Sequence, residues 1–148
     1  MAADGSVYVA GSANDAIPGQ VSGGSGFSDG FVRKYDAAGN VLWTRQSGTA
    51  GIDSVNAIAT DATGVYLGGF YDTGGFNFEI RVQKYDANGT ELWTRQVGTD
   101  GGDTLFALEA DANGVYVGGS TTGTLPGQTS SGGTDGFVRA YDAAGNDL

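Results

Sequence analysis

Lys84-Tyr-Asp-Ala-Asn-Gly-Thr-Glu-Leu-Trp-Thr-Arg-Gln96 decides the fold, because Lys34-Tyr-Asp-Ala-Ala-Gly-Asn-Val-Leu-Trp-Thr-Arg-Gln46 precedes it with the same pattern and Tyr141-Asp-Ala-Ala-Gly-Asn146 opens a third copy. Self-similarity at a period near 50 residues is the mark of a repeat architecture. Working outward, each copy is preceded by two apolar segments. The first is Val7-Tyr-Val-Ala-Gly11, Val65-Tyr-Leu-Gly-Gly69 or Val115-Tyr-Val-Gly-Gly119, and the second is Phe31-Val-Arg-Lys-Tyr35, Arg81-Val-Gln-Lys-Tyr85 or Phe137-Val-Arg-Ala-Tyr141. After the tryptophan strand comes a Gly-Thr loop and then Val55-Asn-Ala-Ile-Ala59 or Leu105-Phe-Ala-Leu-Glu109. These runs are rich in β-branched and aromatic residues and bounded by turn residues, which predicts strands. No segment sustains a 3.6-residue apolar period, so no helix is expected.

A unit thus has four strands: A (around Ala57), B (Tyr66), C (Tyr85) and D (Trp93). The A-to-B links are Asp61-Ala-Thr-Gly64 and Asp111-Ala-Asn-Gly114, and the C-to-D links are Asp36-Ala-Ala-Gly39, Asp86-Ala-Asn-Gly89 and Asp142-Ala-Ala-Gly145. Asp at the first position caps the turn through its side chain and Gly at the fourth takes the left-handed conformation, which predicts antiparallel hairpins. Tyr35 to Tyr66 and Tyr85 to Tyr116 span the same distance, so D, A and their links are fixed in length. All the length variation falls in the B-to-C loop.

Sheets of four short strands cannot bury both faces alone, and the radial way to stack them is a β-propeller. Asp29-Gly-Phe-Val-Arg-Lys-Tyr-Asp-Ala-Ala-Gly-Asn-Val-Leu-Trp43, then Gly48-Thr49 and Asp53, then Val115-Tyr-Val-Gly-Gly-Ser120 resembles the bacterial β-propeller repeat family called SBBP, over nearly the whole chain. The resemblance implies secreted or cell-surface bacterial proteins of many blades and carries over no catalytic residue. The expected fold is an all-β propeller fragment, residues 1–148, of about three four-stranded antiparallel blades at 6–47, 54–97 and 104–148. The first lacks its inner strand and the last its outer strand, consistent with a piece of a longer propeller or with a short gene product that closes by oligomerising. Unpaired strand edges then favour self-association.

Composition removes whole classes of function. The chain has 28 glycines against 2 prolines, no cysteine, no histidine and a net charge of −10. Without Cys or His there is no disulfide, no thiolate nucleophile, no imidazole base and no Cys- or His-based metal site. The acidic balance, without a basic stripe, disfavours nucleic acid and an anionic membrane as partners. No enzyme activity, metal or cofactor is expected.

Trp43 and Trp93 resemble the tryptophan-docking motif of quinoprotein dehydrogenase propellers, although here the turn is one residue shorter and the Thr before Gly is missing. Packing between units is favoured over a binding role, with Tyr35, Tyr85, Tyr141, Gly39, Gly64, Gly89, Gly114 and Gly145 as further structural positions. Arg45 and Arg95 lie on the tryptophan face of their strands. They suit a cation-π contact or a pair with a neighbouring Asp better than the substrate-holding role of sialidase arginines, since they recur from unit to unit. The Asp-x-x-Gly turns offer oxygen ligands, but the position of Val97 where an EF-hand needs its bidentate Glu argues for hairpins. Asp100 and Asp103, close together in a D-to-A loop, are better cation candidates. Gln20 and Gln128 follow Pro-Gly turns in the B-to-C loops, which Tyr71 and Phe76 make aromatic in the second unit. These loops form the expected recognition face, with protein or glycan as partners. The functions in view are a non-catalytic scaffold or interaction module, a carbohydrate- or cation-binding propeller, and part of a propeller enzyme with its catalytic residues elsewhere.

Overall fold

The computed structural model describes residues 5–21, 27–74 and 78–148. Ten strands run in chain order: β1 (Val7–Ala13), β2 (Asp29–Tyr35), β3 (Val41–Ser47), β4 (Ser54–Thr60), β5 (Gly64–Asp72), β6 (Phe78–Asp86), β7 (Glu91–Val97), β8 (Asp103–Asp111), β9 (Gly114–Thr121) and β10 (Asp135–Asp142). No helix occurs among the described residues. Every segment expected as a strand is one. The strands form three antiparallel sheets ordered β1-β2-β3, β4-β5-β6-β7 and β8-β9-β10.

The hairpins follow from the Asp and Gly of their turns. Asp86 Oδ1 accepts from the amides of Asn88 (2.9 Å) and Thr90 (2.8 Å), while Gly89 N donates to Asp86 O at 3.0 Å with φ +79°. This left-handed glycine reverses the chain at little steric cost. Immediately after it the ladder between β6 and β7 skips Leu92, and the β2–β3 ladder skips Leu42 in the same place. Each is a bulge that sets the aim of the following tryptophan. Both bulge leucines are half-exposed.

Each sheet buries apolar side chains against the next. Between the first and second sheets lie Val32, Val65, Leu67 and Tyr85, flanked by Tyr8, Ala10, Trp43 and Val55. A larger core between the second and third contains Tyr66, Ile80, Val82, Trp93, Val97, Leu108, Val115, Val117 and Tyr141. Alternation along β5 places Val65 and Leu67 in one core and Tyr66 in the other, so the middle sheet is covered on both faces.

Candidate functional site

Two places concentrate the side chains that sequence singled out: the seams between sheets and the loops at one end of the strands. At the first seam, Trp43 Nε1 donates to Ala87 O at 3.0 Å and Arg45 Nε to Gly89 O at 2.7 Å. At the second, Trp93 Nε1 donates to Ala143 O at 3.1 Å and Arg95 Nε to Gly145 O at 2.7 Å. In both cases the guanidinium also stands 5.7 Å from the indole of its own strand, a cation-π distance. Alternation on β3 and β7 puts tryptophan and arginine on one side of the strand, and the turn of the following sheet offers them two carbonyls. The arginines therefore bond to backbone oxygen across the seam.

The glycines of the receiving turns are needed there. A Cβ on Gly89 would come 2.8 Å from Trp43, and one on Gly145 would come 2.9 Å from Trp93. Gly64 and Gly114 meet a related demand, since a side chain on either would run into the carbonyl of Tyr85 or Tyr141. The tyrosines complete the seams: Trp93 stacks obliquely between Tyr66 and Tyr141, and Tyr8 meets Trp43 edge-on. Tyr85 is buried with its hydroxyl donating to Glu91 at 3.2 Å, and burial together with that carboxylate pushes its pKa up to about 12. Tyr35 is only half-buried. Tyr141 is buried with its hydroxyl unpartnered, because the residue in the place of Glu91 is the shorter Asp147, held by Arg139 at 2.8 Å.

Sequence reading missed the lysines. Lys34 and Lys84 are buried at the seams, where their ammonium groups donate to Ala87 O (3.3 Å) and Ala143 O (3.0 Å) and lie over the rings of Tyr8 and Tyr66. The signal available was their identical place before the Tyr-Asp turn, where the third copy has Ala140.

At the loop end, Asp103 is buried and its carboxylate accepts from Thr99 N at 2.7 Å, so it closes its own loop. Asp53 does the same for Thr49 at 2.6 Å; its other oxygen is buried without a partner. The two loops also bond across to B-to-C loops: Thr49 Oγ1 donates to Asp72 O, and Gly102 N to Thr122 Oγ1. Asp100 is exposed and shares a shallow depression with Asp103, Ser120 and Thr122. Glu79 joins them from β6, and its carboxyl is raised above the usual range by burial and by the charges of Asp103 and Asp100. No group of three or more acidic side chains among the described residues is arranged to hold a metal ion.

Tyr71 is buried beneath the guanidinium of Arg81, 5.2 Å away, and burial and Glu79 raise its pKa. Gln20 and Gln128 each close a Pro-Gly turn through the backbone N–H, which donates to Ile17 O (2.8 Å) and Leu125 O (3.0 Å). Gln20 is half-buried and Gln128 exposed, the latter lining an open cleft of about 860 Å³ over the third sheet. Phe76 lies outside the described residues. The structure thus brings Asp100 and Asp103 together, while Tyr71 lies under Arg81 and the two glutamines belong to loops of different sheets.

No protein-family model matches the chain, and no curated protein matches it.

Proposed function

We propose that this chain is a non-catalytic scaffold or interaction module, a stack of propeller-type blades of the kind found in secreted or cell-surface bacterial proteins. One observation carries this reading: both seams use the same indole, guanidinium and ammonium donors on the same glycine turn. The most distinctive side chains of the repeat are thereby committed to holding sheets together, which leaves the loops and outer faces for contact with other molecules. Those outer faces are apolar in part, with Val7 and Val9 at 40% and 44% exposure on the first sheet and Val138 at 79% on the last. Apolar sheet faces and unpaired edges favour protein partners and self-association. Sedimentation velocity over rising concentration should show association, and a monodisperse monomer throughout would count against it.

A second reading, a cation or glycan site, looks to Asp100, Asp103 and Glu79, whose charges are near enough to raise the Glu79 carboxyl, although the three are not arranged to hold a metal ion. Calorimetry with calcium and with a glycan panel separates the two. The module reading expects no binding heat, whereas binding lost on Asp100→Ala would favour a ligand site at the loops. Asp100→Ala is a cleaner probe than Tyr71→Ala, because Tyr71 is part of the packing.

A further inference from the structure

We infer that the Asp36–Gly39 turn of the first sheet is a docking socket for the tryptophan-bearing outer strand of a further repeat unit, a strand of the form Leu-Trp-Thr-Arg. The inference rests on the stacked-module reading above. Three turns of this chain share one geometry. Asp36, Asp86 and Asp142 each accept at Oδ1 from the amide two residues on at 2.9 Å and from the amide four residues on at 2.8 Å. Gly39, Gly89 and Gly145 follow with φ of +86°, +79° and +83°.

Two of the three are occupied. An indole face lies against Gly89 and another against Gly145, and in each case the indole N–H and the arginine Nε take the carbonyls of the turn's second and fourth residues. Gly89 and Gly145 are buried as a result, whereas Gly39 is exposed. Nothing among the described residues comes within 4 Å of where a Cβ on Gly39 would stand, and none donates to the carbonyls of Ala37 or Gly39. The same backbone acceptors are presented, in the same turn, to whatever approaches.

The occupant follows from the two filled copies. It must bring an indole flat onto a glycine and an arginine two residues later on the same strand face. A second copy of this chain does not qualify, since its two tryptophans are both seated. The fitting partner is another unit of the same repeat chemistry whose outer strand carries tryptophan and arginine. Its guanidinium also suits a receiving chain of net charge −10.

The test adds the peptide Val-Leu-Trp-Thr-Arg-Gln-Ser, the sequence of residues 41–47, to the isotope-labelled full chain. The amide resonances of Ala38, Gly39 and Asn40 should shift saturably. Replacing the peptide's tryptophan by alanine should weaken binding at least about tenfold. Gly39→Asn should do the same, because asparagine tolerates the left-handed backbone but puts a Cβ where the indole sits. Silence at Gly39 with peptide at about 1 mM, or shifts confined to the free edge of β10, overturns the inference. Gly145→Asn separates this from the underlying reading. That variant should lower Tm by displacing Trp93. Unchanged stability would sink the module reading itself, whereas a lowered Tm with a silent Gly39 would remove the socket alone.

Discussion

Val82 in the middle sheet and Val138 in the last occupy the same place in the repeat, yet one is fully buried and the other 79% exposed. Val32 in the first sheet is 1% exposed, so the pattern has a direction: strand C of the repeat is covered where another sheet follows and bare where none does. The same residue at the same place in the repeat therefore has opposite energetic meaning depending on whether a neighbour is present. This is the behaviour of a stack in which stability is carried by interfaces between units. The comparison is broken most forcefully by placing a charge at both positions. Val82→Asp should cost at least about 4 kcal/mol, because an unpaired carboxylate enters a dry core, while Val138→Asp should stay within about 0.5 kcal/mol. Urea unfolding of the two variants measures the difference, and similar losses would mean that the third sheet's outer face is covered in solution.

The two seams sharpen the same point. Trp93 is 8% exposed and held between Tyr66 and Tyr141, whereas Trp43 is only half-buried and, among the described residues, makes its ring contact with Tyr8. Their polar bonds to the receiving turns are nearly equal, so the difference lies in apolar burial. Trp93→Ala should cost about 3–5 kcal/mol and Trp43→Ala about 2 kcal/mol, in proportion to the surface each removes from water. Equal losses would show that the bonds to Ala87 and Ala143 outweigh the packing.

How much of this was legible in the chain varies with the kind of signal. Strands and hairpins were readable because Asp-x-x-Gly punctuates runs such as Val65-Tyr-Leu-Gly-Gly69, and such turns act locally. The pairing of Trp93 with arginine two residues on was also readable, from alternation. Its acceptor was not: the carbonyls of Ala143 and Gly145 carry no side-chain signature, so an Asp partner looked equally reasonable for Arg95. Lys84 was missed for a related reason, since a lysine between apolar residues reads as solvated until a neighbouring turn supplies a carbonyl and Tyr66 a ring face. The loop end shows the reverse. Asp100 and Asp103 looked like a pair, but only the fold shows that Asp103 is used by Thr99 and that Glu79 arrives from another strand.

Titration separates seams from turns with smaller effects. Burial holds the Tyr85 hydroxyl near 12, and Tyr66, Tyr71 and Tyr141 are also raised from the ordinary value of 10.0, chiefly by burial. A phenol whose folded pKa is raised favours the folded state while neutral in both states, so its contribution is intact below about pH 10 and is lost as pH rises toward 12. Thermal melts should show Tm falling across that window. Tyr141→Phe, which removes a buried hydroxyl without a partner, should be neutral or stabilising near pH 7 and should flatten the alkaline fall.

At the acid end the turns respond. Asp36, Asp86 and Asp142 are held below the usual carboxylate value of 3.8, Asp36 and Asp142 first by the side chains of Asn40 and Asn146 and Asp86 first by the amide of Thr90. A carboxylate with a depressed folded pKa contributes stability that is present above its ordinary value and lost as pH falls through the folded one. Melts should therefore show a modest decline beginning below about pH 4. The turns need not contribute alike. Asp86 and Asp142 support seated tryptophans and Asp36 does not, so Asp86→Ala should loosen both its hairpin and the first seam, while Asp36→Ala disturbs its hairpin only. Trp43 fluorescence reports the distinction in a Trp93→Phe background: a red shift for Asp86→Ala and none for Asp36→Ala is expected, and equal spectra would mean that the seam does not depend on the shape of the turn that receives it.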